Sequence, residues 1–142
     1  KPTDYTGDVL RGDLRVPEYT IVDGRASLFI RASYVPRYVT KFSMNIQSPY
    51  AFTAALVGAG DDGLCQDWSD PVVTPNTGGA NIALESKTPT NIYTAIPYGA
   101  FGAILRLDFT GLPENPGQLV TAITVDNTVY ENGQYFAVES LP

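Results

Sequence analysis

The chain contains no histidine and only one cysteine, one methionine and one tryptophan. Without histidine it cannot form a Ser-His-Asp or Cys-His nucleophilic arrangement, nor any histidine-bearing zinc site. A lone cysteine, Cys65, excludes an internal disulfide and a four-cysteine metal site, and leaves the redox compartment unfixed; it reads as a small packing residue. A phosphate-cradling glycine loop followed by lysine is missing, as is a dinucleotide fingerprint. No apolar run approaches the roughly 18 to 20 residues that cross a bilayer, so no direct membrane insertion is expected. Basic residues are also scarce, nine against fifteen acidic ones for a net charge of −6. That balance argues against nucleic acid, because phosphate binding needs a concentrated positive surface. Acid/base hydrolysis needs only two well-placed carboxylates, but no spacing marks a pair here, and the expectation is a protein that is not an enzyme.

What is present is the material of a packed β domain. Hydrophobic residues make up 44% of the 142 and charged residues 17%, which favours a core over a disordered segment. The length suits a single domain spanning residues 1–142. Abundant Thr, Tyr, Asn and Gly with little lysine fits a secreted or cell-surface protein. The chain starts at Lys1 and ends at Pro142, and it reads as a piece of a longer exported protein.

Alternation supplies the fold class. In residues 25–32 the even positions Ala26, Leu28, Ile30 and Ala32 are apolar, and three of the four odd ones are polar, as in a half-buried strand. Phe29 breaks the pattern and should point away from the core. Further strands are predicted over 8–16, 19–22, 38–46, 50–57, 80–85, 91–96, 101–110 and 119–126. Tyr38, Phe42, Met44 and Ile46 share parity in one; Phe101, Ala103, Leu105, Leu107 and Phe109 share it in another. Asn132-Gly133 between two alternating runs predicts a terminal type I′ hairpin that sets Tyr130 opposite Tyr135. Residues 60–79, acidic and punctuated by Pro71, Pro75 and Thr77-Gly78-Gly79, read as an irregular segment with Val72-Val73 as a possible short strand, either a functional loop or a pair of short strands. The predicted class is all-β, a two-sheet sandwich, with a jelly-roll order favoured over an immunoglobulin-like one.

With that plan the chain resembles the cohesin-like domains of exported bacterial and archaeal scaffold proteins. The residues that carry the resemblance are Val22-Asp23-Gly24-Arg25 leading into Ala26-Ser27-Leu28-Phe29-Ile30-Arg31-Ala32 and the Val35-Pro36 loop, then the strand over 38–46. Later come Gly99-Ala100-Phe101-Gly102-Ala103-Ile104-Leu105-Arg106-Leu107-Asp108-Phe109 and residues 125–133. The resemblance implies a nine-stranded jelly roll that binds another protein module, dockerin-like in kind, through a sheet face and neighbouring loops.

Candidate contacts for such a partner are Phe29, Arg31, Tyr34, Arg37 and Trp68, since aromatics and arginines supply most interface affinity. Six of the nine basic residues, Arg11, Arg15, Arg25, Arg31, Arg37 and Lys41, fall in this early region; they give one sheet a basic face or balance nearby acids. Trp68 either anchors an exposed site, which supports an alternative carbohydrate-binding module recognising polysaccharide, or plugs the end of the sandwich. Tyr34, Tyr38, Tyr93 and Tyr98 lie near strand ends where hydroxyls stay wet, although Tyr38 shares the parity of core residues. The cluster Asp61, Asp62, Asp67 and Asp70 has the oxygen chemistry of a structural calcium loop without EF-hand spacing, or is a solvated acidic loop; no cofactor is otherwise required. Arg11-Gly12-Asp13 matches a short adhesion sequence but falls in a predicted strand. A ligand-free spacer domain is the third functional reading.

Overall fold

The computed structural model describes residues 12–16, 19–33, 38–125, 128–131 and 136–138. Its strands are β1 (Gly12–Arg15), β2 (Ala26–Ser33), β3 (Lys41–Gln47), β4 (Phe52–Ala55), β5 (Val72–Asn76), β6 (Gly79–Glu85), β7 (Gly102–Phe109), β8 (Ala122–Val125), β9 (Thr128–Glu131) and β10 (Phe136–Val138). They form two five-stranded sheets, β10-β1-β2-β7-β4 and β5-β6-β3-β8-β9, with antiparallel neighbours throughout. The chain is therefore an all-β two-sheet sandwich.

Alternation builds the core as expected. Ala26, Leu28, Ile30 and Ala32 of β2 are buried, as are Leu105, Leu107 and Phe109 of β7. They face Met44 and Ile46 of β3, Ile82 and Leu84 of β6, and Ile123 of β8 in one continuous cluster. Tyr50, Phe52, Ala54 and Leu56 pack against this cluster from the margin, as their shared parity predicts.

The register of β7 departs from strict alternation. Ile30 pairs with Leu105 but Arg31 pairs with Ala103, so Ile104 is an extra residue, a β-bulge. Beyond it, inward and outward positions exchange. Phe101, expected in the core row, is 57% exposed. Ala103 now lies on the Arg31 side, where it is covered because residues 62–64 run alongside: Leu64 N donates to Ala103 O and Ala103 N to Asp62 O, each at 2.9 Å. Gly63 occupies this parallel bridge.

Several other expectations are corrected. Of the two readings of residues 60–79, the pair of short strands holds for 72–76, which form an edge strand against β6; Pro75 is tolerated there because an edge needs no N–H on its outer side. Tyr38 is 54% exposed and Val39 is buried, because the chain bends at Thr40 before β3 begins and parity restarts. Over 91–96 a 3-10 turn, Ile92–Thr94, replaces the strand, and Ile96 alone bridges to Val39. Over 19–22 only Val22 pairs, with Arg25, around Asp23-Gly24, whose positive φ values of 52° and 73° make the I′ geometry. Of the strands that flank the predicted terminal hairpin, β9 pairs with β8, and β10 pairs with β1 in the other sheet. Asn132 and Gly133 themselves lie outside the described residues, as do residues 8–11. Gly12 and Asp13 sit inside a sheet between β10 and β2, which is not the exposed loop that the adhesion reading of Arg11-Gly12-Asp13 needs.

Candidate protein-interaction face

Strand β2 is the middle strand of its sheet. Its odd residues, Ser27, Phe29, Arg31 and Ser33, therefore stand on the outer face while the even ones fill the core. The register sets Phe29 opposite Arg106 and Ser27 opposite Asp108 on β7; Thr53 and Ala55 of β4 continue those rows. Arg15 of β1 is placed by register opposite Arg31.

The polar groups of this face are tied to one another. Arg106 donates from Nε to Asp108 Oδ1 and Oδ2 at 3.0 and 3.2 Å and from Nη2 to Oδ2 at 3.1 Å. Ser27 Oγ donates to Asp108 Oδ1 at 2.8 Å. Arg31 Nη2 lies 3.6 Å from Asp62 Oδ2; the well-exposed carboxylate makes this pair worth little in stability, so it orients more than it binds. The outcome is one half-buried aromatic ring at the centre of the sheet, flanked by two oriented guanidinium groups.

The opposite outer face has a different chemistry. The register places Thr124, Asn45, Asn81 and Thr74 in a single row across β8, β3, β6 and β5. Asn45 Nδ2 donates to Asn81 Oδ1 at 3.2 Å, and Gln47 Nε2 donates to Asn45 Oδ1. A shallow groove at one end of this face is lined by Lys41, Ser43, Asp70, Val72, Ala83 and Glu85 among others. The outward residues of β3 and β6, namely Lys41, Ser43, Asn45, Gln47, Asn81, Ala83 and Glu85, include no aromatic.

Of the sequence-derived contact residues, the structure brings Phe29 and Arg31 together. Tyr34 and Arg37 lie outside the described residues. Trp68 is 2% exposed and belongs to the core cluster; its ring fills the sandwich, so it is not the surface anchor. The four aspartates are not assembled: among the described residues no three His, Cys, Asp or Glu side chains come close enough to hold a metal ion. The 3-10 turn Ala59–Asp61 and the left-handed Asp62, at φ 60°, instead aim the local backbone at β7, and the Asp62 carboxylate at Arg31. Cys65 is buried, and loss of solvent pushes its thiol pKa up to about 12. Arg106 and Asp108 alternate with the apolar residues of β7 and so stand on its wet side, but their place beside Phe29 depends on a strand register that one strand's pattern does not encode.

No protein-family model matches the chain. No curated protein matches it either. Among solved structures it is similar to the solution structure of CaCohA2 from Clostridium acetobutylicum, at 17% identity over 94% of each chain with a TM-score of 0.50. At that identity the likeness concerns the fold.

Proposed function

We propose that this is a non-catalytic, cohesin-like protein-interaction module of an extracellular or cell-surface assembly, and that it holds a dockerin-type module on the face centred on Phe29. The observation that carries the reading is the position of Phe29 at the middle of a five-stranded sheet, opposite Arg106 and two residues from Arg31. Interface hot spots combine aromatics with arginines near the centre of a patch, ringed by weaker contacts that exclude water. Five strands span about 20 Å, which with the bordering loops approaches the roughly 800 Å² per partner of a standard interface.

Two further features support the cohesin-like reading. The pairs β1 with β10, β2 with β7 and β3 with β6 are nested one inside the next, which supports a jelly-roll order on this reading. CaCohA2, a bacterial cohesin domain, shares the fold across most of its length. On this reading residues 1–142 act as one unit that is secreted or displayed at the cell surface.

A second reading places the partner on the opposite face, and the continuous amide and hydroxyl row favours it. Titrating a panel of purified dockerin modules against the wild-type domain, Arg31→Glu and Asn81→Arg separates the two. The proposal expects binding that Arg31→Glu weakens and Asn81→Arg leaves intact. Loss confined to Asn81→Arg moves the site to the amide row. No binding by any module of the panel overturns the proposal and favours a ligand-free spacer.

A further inference from the structure

Four exposed aromatic side chains lie at one end of the sandwich. Tyr93 is 92% exposed, Tyr98 60%, Phe101 57% and Tyr38 54%. Three of them fall in the connection from β6 to β7. The fourth joins them because Val39 and Ile96 exchange backbone hydrogen bonds of 3.0 and 2.8 Å, which sets Tyr38 beside the Pro97-Tyr98 step.

Their exposure is not that of a loose loop. Ile96 is fully buried beneath the segment. Asn91 Oδ1 accepts from Tyr93 N at 2.9 Å, and Trp68 Nε1 donates to Thr94 O at 2.8 Å. The Thr94 hydroxyl is gathered with Ser86 Oγ and Thr88 Oγ1 at 2.7 and 3.0 Å. Pro97 O accepts from Ala100 N, and Gly99 supplies the positive φ, 81°, that this turn uses. The rings are thus held out in water by a pre-ordered support, which spares a ligand the cost of ordering them.

Charge chooses between ligands. From Thr88 to Leu105 the sequence has no Asp, Glu, Lys or Arg, in a chain where 17% of residues are charged. The segment that carries Tyr93 and Tyr98 is therefore apolar ring, hydroxyl and amide, bounded in sequence by Lys87 and Arg106 but without a formal charge of its own to meet a peptide's or a phosphate's. A neutral saccharide has the matching chemistry: C–H faces that lie on rings, and hydroxyls that meet tyrosine, threonine and asparagine. We propose that this end is a binding surface for a neutral glycan, with Tyr93 and Tyr98 as its stacking rings and Trp68 as a buried support.

The test exposes the whole chain to microcrystalline cellulose and to an array of neutral and charged oligosaccharides, then repeats the measurement with Tyr93→Ala, Tyr98→Ala and Phe29→Ala. The expected result is retention by a neutral glycan, about tenfold weaker for each tyrosine variant, the loss expected for one stacked ring. Thermal midpoints should stay at the wild-type value, because both side chains are exposed, and Phe29→Ala should bind glycan normally. Failure of every neutral glycan to bind overturns the proposal, as does glycan binding indifferent to both tyrosines. Dependence of a protein partner, rather than a glycan, on Tyr93 and Tyr98 overturns it too and makes this end a protein interface. The outcome is independent of the Phe29 face, so either proposal can fail alone.

Discussion

The indole Nε1–H of Trp68 donates to the main-chain carbonyl of Thr94 at 2.8 Å, joining the acidic segment to the β6–β7 connection through the core. Trp68 N also donates to Cys65 O, and Ser69 N to Glu85 O, so the residues on either side are tied to the fold as well. Removing the ring opens a large void and orphans the Thr94 carbonyl. Trp68→Ala should cost about 3 to 5 kcal/mol in urea unfolding. Trp68→Phe should cost less, since it keeps much of the apolar volume and loses the donor. A Trp68→Ala midpoint equal to wild type would show that the indole is not the plug described here.

Two glycines of the same segment should behave oppositely. A Cβ on Gly63 would lie 1.9 Å from Val57 O, whereas one on Gly60 meets nothing within 4 Å. Gly63→Ala must push residue 63 and the Val57-Gly58 backbone apart, at a cost of about 1 to 3 kcal/mol or more. Gly60→Ala should stay within about 0.5 kcal/mol of wild type. Comparable denaturation midpoints for the two variants would contradict the close approach of Gly63 to the Val57-Gly58 backbone.

The sequence carried the fold further than it carried the site. Period-two patterning identified β2, β6 and most of β7 because one face of each is apolar and the other wet. It failed where the period is interrupted. The bulge at Ile104 exchanges inside and outside for Phe101, and the bend at Thr40 does the same for Tyr38. Strand β5 stays open between a loop and a short strand, because Pro75 is tolerated only at an edge position, which the sequence does not reveal. Asn132-Gly133 is strong hairpin chemistry, yet its flanking strands join different sheets, because pairing with β8 and β1 is decided by tertiary contacts that local turn preference does not contain. Trp68 shows the same limit: polar and proline-rich neighbours in sequence leave an exposed anchor and a buried plug both open, and the packing selects the plug.

Cys65 yields a pH-dependent expectation. Burial raises its pKa from 9.0 to about 12, so between those values the unfolded chain releases a proton that the folded chain keeps. Stability is therefore full below about pH 9 and falls as pH rises toward 12, by at most about 1.4 kcal/mol per pH unit from this group. Cys65→Ala should flatten that part of a stability–pH profile relative to wild type. In the native protein at mildly alkaline pH a thiol reagent should label Cys65 only at the rate of unfolding; prompt labelling would contradict its burial.

Calcium offers a check on the acidic segment. Because Asp61, Asp62, Asp67 and Asp70 do not converge, the thermal midpoint should be the same in excess calcium and in chelator. A rise with calcium concentration would show that binding draws these carboxylates together.

The central claim is tested most directly by the dissociation constant of a dockerin module for the wild-type domain and for Phe29→Ala, with thermal midpoints recorded for both. Phe29→Ala should weaken binding about thirtyfold or more, the signature of a central hot spot, in a variant that still folds. An unchanged dissociation constant for Phe29→Ala would contradict that claim.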